Sequence, residues 1–238
     1  MDLIAELWRR AVSTQPVPDA QGSAILAITA LAAVVLAWRL VRTLVTICHE
    51  GGHALVAVLV GRRLTGIRVH SDTSGLTLSR GRPTGPGMVA TLLAGYTGPA
   101  IVGLGLAALA GTGHAAAVLW LLVVLAALML IWIRNLYGLL VVLVAGAAVG
   151  LASWYSPPTV LGWIATGLAW LLLMAAPRPV LELFRSRSDT SDAAQLAALT
   201  HVHRYGWCLL WLALDVAALA LGALWMVPGI YRALTAPA

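Results

Sequence analysis

Apolar runs about as long as a bilayer crossing, roughly twenty residues, recur along the chain near 23–40, 43–60, 87–110, 115–133, 136–153, 159–176 and 207–227. Gly111 to Gly113, the step Ser156-Pro157-Pro158 and the stretch Ala176 to Pro179 supply breaks between them. The first two runs meet at Trp38-Arg39-Leu40-Val41-Arg42 with no glycine or proline. We read two spans joined by a tight turn, with one long bent helix as the alternative. Two other periodicities interrupt the apolar runs. Near the start, Leu3, Ile4, Leu7 and Trp8 share one helical face opposite Asp2, Glu6 and Arg9, which suits a helix lying on a membrane surface. After the second run the pattern switches to alternation: Ile67 and Val69 against Arg68 and His70, then Leu76 and Leu78 against Thr77 and Ser79. The intervening Ser71-Asp72-Thr73-Ser74, followed by Gly75, is turn chemistry, so this stretch predicts a β-hairpin. The domain plan is an interfacial segment at 1–22, a membrane domain at 23–227 with its hairpin at 64–82 and a second polar segment at 178–206, and a tail at 228–238. The fold class expected is an all-α polytopic membrane protein of about six to seven transmembrane helices with a small membrane-associated β-hairpin.

Composition narrows the class. The 238 residues are 61% hydrophobic and only 10% charged, more apolar surface than a soluble domain needs. All fifteen basic residues are arginine. The net charge of +6 therefore reads as topology-setting loop arginines, with no nucleic-acid partner implied. If the loop from Arg62 to Arg82 is cytoplasmic and the amino terminus is too, twelve arginines fall inside, leaving Arg39, Arg42 and Arg232 outside. Cys48 and Cys208 lie in apolar stretches and read as small core residues.

Against that background Thr46 to Gly61, TICHEGGHALVAVLVG, places His49, Glu50 and His53 inside an apolar span. Ionisable groups there carry a penalty of at least a few kcal/mol and persist where they have a partner or a job. HExxH on a helix sets two imidazoles one turn apart on one face, able to bind a single Zn2+, with the glutamate beside it as general base for a bound water. Two histidines satisfied by helix-to-helix hydrogen bonds, with Glu50 as a proton relay, are the plainer explanation. Gly51 and Gly52 remove side chains where substrate backbone or a neighbouring helix must approach.

The stretch HEGGHALVAVLVGRRLTGIRVHSDTSGLTLSRG, with AGYTGP, IRNLYG and SDAAQLAALT further on, resembles the actinobacterial, M50B-like branch of the M50 metallopeptidases, the site-2 protease family. The similarity runs from Val41 to Leu199. It implies a zinc-dependent intramembrane endopeptidase that cleaves transmembrane or membrane-anchored substrates, such as an anti-sigma factor or a tethered regulator, in a bacterial cytoplasmic membrane. It also implies a transmembrane bundle with a hairpin after the HExxH helix. The LDG motif of better-known members is missing. The Ser191-Asp192-Ala193 motif of the M50B-like group makes Asp192 the implied third ligand, although the same residues are an ideal helix start. Asp215, inside an apolar run, is its main rival, followed by Asp189, His201 and His203. Tyr96 of GYTGP is a weaker candidate to donate to substrate or oxyanion, and Asn135 of IRNLYG to polarise a carbonyl. Gly75, Leu76, Thr77 and Leu78 form a strand expected to pair with an unwound substrate, unless its partner strand carries the free edge. A metal or proton transporter and a catalytically inactive membrane scaffold are the competing functions. The active site is expected to open toward the cytoplasmic side.

Overall fold

The computed structural model describes residues 3–186 and 188–227. Asp2, Arg187, Arg232 and the tail at 228–238 lie outside the described residues. In chain order the elements are α1 (Leu3–Val12), α2 (Ala20–Leu36), α3 (Trp38–Leu59), β1 (Arg63–Val69), β2 (Gly75–Arg80), α4 (Pro86–Gly111), α5 (Ala115–Trp132), α6 (Leu136–Tyr155), α7 (Pro158–Ala175), α8 (Pro177–Arg185), α9 (Asp192–Thr200) and α10 (Arg204–Met226). This is a polytopic α-helical membrane protein with one antiparallel hairpin. Helices α4, α5, α6 and α10, and α7 continued through α8, are each long and apolar enough to cross a bilayer.

The pair α2 and α3 is long and apolar enough only when the two are taken together, and it is bent by 100°, the form of a broken span or of a re-entrant loop. Two helices do meet at the Trp38–Arg42 stretch, but at a right-angled elbow rather than in a turn between two parallel spans. The elbow is held from α8. Arg178 donates to the carbonyl of Val34 in the last turn of α2 and stacks over Trp38, 4.3 Å from the ring centroid. Glu182 accepts from Trp38 Nε1 at 3.0 Å and pairs with Arg42 at 3.3 Å. An orphan helix-end carbonyl thus gains a cationic donor.

The two polar ends of the bundle follow from these contacts. The α5–α6 corner lies on the hairpin, with Ile133 bridging Ile67. The other ends of α5 and α6 carry α1: Arg10 donates to the Trp154 carbonyl at 2.7 Å, and the buried Gln15 caps α5 by accepting from the Ala116 amide at 2.8 Å. The amino terminus therefore sits opposite the hairpin, contrary to the side-sharing expected from arginine placement. Arg42, expected on the far side from the arginine-rich loop, is instead tied to α8 near the hairpin end. With the α2–α3 pair as one crossing, six crossings connect these ends in sequence.

Small residues set the central packing. A Cβ on Gly52 would lie 2.4 Å from the Ala94 carbonyl oxygen, and one on Gly98 would lie 2.5 Å from that of Cys48. Helices α3 and α4 therefore touch backbone to backbone, the arrangement that small residues permit in membranes. A larger apolar core, including Leu106, Leu119, Leu173 and Trp170, joins α4, α5 and α7 further along.

The hairpin pairs Arg63 with Arg80 and Val69 with Gly75, with a bulge at Thr65 between the Leu64 and Gly66 pairings. Its turn is closed by Asp72, whose carboxylate accepts from the Ser74 amide at 2.9 Å. The outer edge of β1 is not free. Asn135 pairs with Val69 through its side-chain amide, accepting from the Val69 N–H at 3.2 Å and donating to its carbonyl at 2.6 Å. Arg134 N–H adds a bond to the Ile67 carbonyl at 2.9 Å.

Candidate active site

Helix α3 presents two faces to two neighbours. Thr46 and Glu50 look toward the hairpin, where the Thr46 hydroxyl donates to the Thr73 carbonyl at 2.8 Å. Cys48 and Gly52, about 200° further round the helix by the 100° step per residue, look toward α4. His49 and His53 sit between, one turn apart, with their Nε2 atoms 3.0 Å from each other. His53 Nδ1 lies 2.7 Å from the Thr91 carbonyl, which fixes the ring and leaves Nε2 directed at its partner. Gly95 of α4 forms the floor: a Cβ there would be 2.4 Å from His53 Nε2 and 2.6 Å from His49 Cε1.

The third group arrives on α9. Ala193 and Leu196 are fully buried against Val180, Leu183, Cys208 and Trp211, which anchors this short helix over the site. Ser191 takes the N-cap role, its hydroxyl accepting from the Ala194 amide at 3.3 Å. Asp192 is thereby left free of capping, and its Oδ2 lies 3.3 Å from His49 Nε2 and 3.2 Å from His53 Nε2. Burial pushes the Asp192 carboxyl up, but His53 and His49 beside it outweigh that and hold it well below the usual carboxylate range. His49, His53 and Asp192 thus offer three converging ligand atoms, all within 4.8 Å of one another, a set able to hold a metal ion.

Asp215 does not join them. It is fully buried in α10, and neither of its oxygens has a hydrogen-bond partner among the described residues. Asp189, His201 and His203 are exposed.

Glu50 is only 4% exposed, under the hairpin. The Thr77 hydroxyl donates to its Oε2 at 2.6 Å, and a Cβ on Gly75 would lie 2.3 Å from its Oε1. Leu76 and Leu78 point the other way and are exposed. Tyr96 sets its ring edge against His49, with centroids 4.7 Å apart, and packs on Trp211 at the same distance. Asn135 is occupied with Val69, so its amide serves the hairpin rather than a substrate carbonyl. Reading the sequence did not anticipate the Thr77 side-chain contact with Glu50 or the Thr91 carbonyl on His53, and of Gly95 it gave only that GYTGP resembles a small-residue motif facing the active site.

A family model described as Peptidase M50B-like matches residues 22–222. No curated protein and no solved structure matches the chain. The match covers α2 through most of α10 and so includes every side chain of the cluster. The chain therefore belongs to the M50B-like family of metallopeptidases.

Proposed function

We propose that the chain is a zinc-dependent intramembrane endopeptidase acting on transmembrane or membrane-anchored proteins, with His49, His53 and Asp192 as ligands and Glu50 as general base. The observation that carries this is the convergence of three donor atoms beside a buried glutamate in a membrane-embedded fold. Tetrahedral zinc with ligand bonds near 2.0–2.1 Å sets its donors about 3.3 Å apart, and the donor separations here are 3.0, 3.2 and 3.3 Å. Two imidazoles and one carboxylate are also a catalytic donor set, leaving one position for water. A zinc ion held by His49, His53 and Asp192 would supply Lewis acidity to the attacking water and to the scissile carbonyl. Glu50 takes a proton from the attacking water and returns it to the leaving amine nitrogen.

A peptide bond inside a helix has its carbonyl tied into the helical ladder, so cleavage requires local unwinding. The unwound strand needs new backbone partners at once near lipid. The outer edge of β2 offers them, since β1 is already covered by Arg134 and Asn135. Pairing on β1, the alternative in the sequence reading, is set aside on that ground. The substrate we favour is a membrane-tethered regulator.

The arginines support a cytoplasmic hairpin end: Arg62, Arg63, Arg68, Arg80, Arg82, Arg134, Arg178, Arg185 and Arg204 belong to elements at that end, whereas Arg9 and Arg10 lie on α1 at the other. The discriminating experiment uses purified protein in lipid nanodiscs with a reporter helix. Wild type should hold about one zinc and cleave, while Glu50→Gln should hold zinc and not cleave. Equal cleavage by the mutant refutes the peptidase reading. Zinc transport without cleavage favours the transporter, and neither activity favours the scaffold.

A further inference from the structure

The strand that carries the unpaired outer edge also contacts Glu50. Hydrogen-bonded and non-bonded pairs alternate along an antiparallel ladder. His70 N–H bonds the Ser74 carbonyl across the turn, and Ile67 and Val69 direct their backbone groups outward to Arg134 and Asn135. Their cross-strand partners, Thr77 and Gly75, therefore turn their own N–H and C=O groups to the outer edge of β2. No backbone or side-chain hydrogen bond reaches those groups among the described residues. Thr77 consequently points its main chain at the open edge and its hydroxyl at Glu50.

We propose that Thr77 is a positioning residue for Glu50: its hydroxyl fixes the carboxylate, and because the same residue offers the edge amide, docking of a substrate strand on β2 sets the base in register with the bond to be cut. This rests on the peptidase reading above. The two carboxylate oxygens divide the work. Oε2 receives the Thr77 hydroxyl at 2.6 Å, a length typical of a charge-assisted bond. Oε1 has no hydrogen-bond partner among the described residues and is the oxygen left to take a proton. Gly75 makes room for it, since any Cβ would collide with Oε1 at 2.3 Å. The competing role is simple docking of the hairpin on α3. The hairpin, however, has an independent tether there, the Thr46 hydroxyl on the Thr73 carbonyl, so loss of the Thr77 hydroxyl need not undock it.

Thr77→Val removes the hydroxyl while keeping shape and β-branching, and Thr77→Ser restores it. Orienting groups around a metal centre are worth about 10- to 100-fold. We expect Thr77→Val to lower kcat by that factor, with zinc content, KM and the Kd for an uncleavable substrate helix all within about twofold of wild type. Thr77→Ser should recover most of the rate. Infrared difference spectra, with the Glu50 carboxylate band assigned by its absence in Glu50→Gln, should shift in Thr77→Val and not in Thr77→Ser. A mere docking role predicts the opposite split, a raised KM or lost zinc with kcat intact. An unshifted carboxylate band, or Thr77→Val cleaving like wild type, overturns the proposal and leaves the peptidase reading standing. A wild type that holds zinc but never cleaves overturns the peptidase reading, and with it the coupling to docking, while the band shift reports on the hydroxyl contact alone.

Discussion

Replacing Gly95 with alanine tests the metal cluster through its floor rather than through a ligand. The new methyl would sit 2.4 Å from His53 Nε2, 2.5 Å from His53 Cε1 and 2.6 Å from His49 Cε1, whereas carbon contacts relax at about 3.5 Å. Both rings must retreat by about 1 Å. His53 has little freedom, because Nδ1 is held by the Thr91 carbonyl. A misplacement of about 1 Å lowers rate on the order of 100-fold, equivalent to about 2.7 kcal/mol of transition-state stabilisation. Zinc should be held more weakly as well. The assay is zinc stoichiometry after dialysis against a graded chelator, alongside cleavage of a reporter helix. Gly105→Ala, on the same helix with nothing within 4 Å of the added carbon, is the control; it should keep zinc and gain up to about 1 kcal/mol of helix stability. Gly95→Ala retaining both wild-type zinc affinity and wild-type cleavage would show that the histidine pair does not form the metal site in this geometry.

Other expectations follow from the same contacts. Asp192→Ala should release most of the zinc and abolish cleavage, while Asp215→Asn keeps the metal; the reverse outcome, read by elemental analysis, would move the third ligand to α10. Thr77→Pro deletes an outward-facing amide of β2 as well as the hydroxyl on Glu50, and should impair cleavage beyond Thr77→Val at full zinc occupancy; equal loss in the two variants would show that the β2 edge does not receive the substrate. Asn135→Leu removes both bonds to Val69 and should weaken attachment of the hairpin by about 1–3 kcal/mol, seen as faster amide exchange at Ile67 and Val69. Gly52→Ala would force a methyl against the Ala94 carbonyl and should lower the melting temperature in detergent by several degrees, since carbonyl and backbone cannot swing aside; an unchanged transition would refute the backbone contact between α3 and α4.

Much of the fold was legible because the strongest signals were local. Apolar run length marked the crossings, period-two alternation marked the hairpin, and His49, Glu50 and His53 share one helix. Asp192 was reachable only through resemblance, because its sequence is equally that of an N-cap. In the structure Ser191 takes the cap and Asp192 faces the two histidines. What stayed hidden depends on partners far along the chain. The elbow at Ala37 is set by Arg178 and Glu182, some 140 residues away, so Trp38 to Arg42 carries no local sign of a right angle. The amino terminus was placed on the wrong side for the same reason, since one bent crossing was counted as two. Asn135 carries the look of a catalytic amide, and only the neighbouring strand reveals that it imitates a third one.

The contact between α3 and α4 has a consequence for traffic. At Gly52 and Gly98 no side chain stands between the helices, so no rotamer change can open a slot there, and parting them would leave main chain bare in hydrocarbon. That seam behaves as a hinge post. The opposite flank of α3 is different: β2 lies there with one edge unpaired and Leu76 and Leu78 facing outward, so an opening on that side would need no backbone-to-backbone contact to be broken. On the peptidase reading proposed above, a substrate helix arriving sideways from the bilayer would meet the flank that carries Glu50 and not the closed seam.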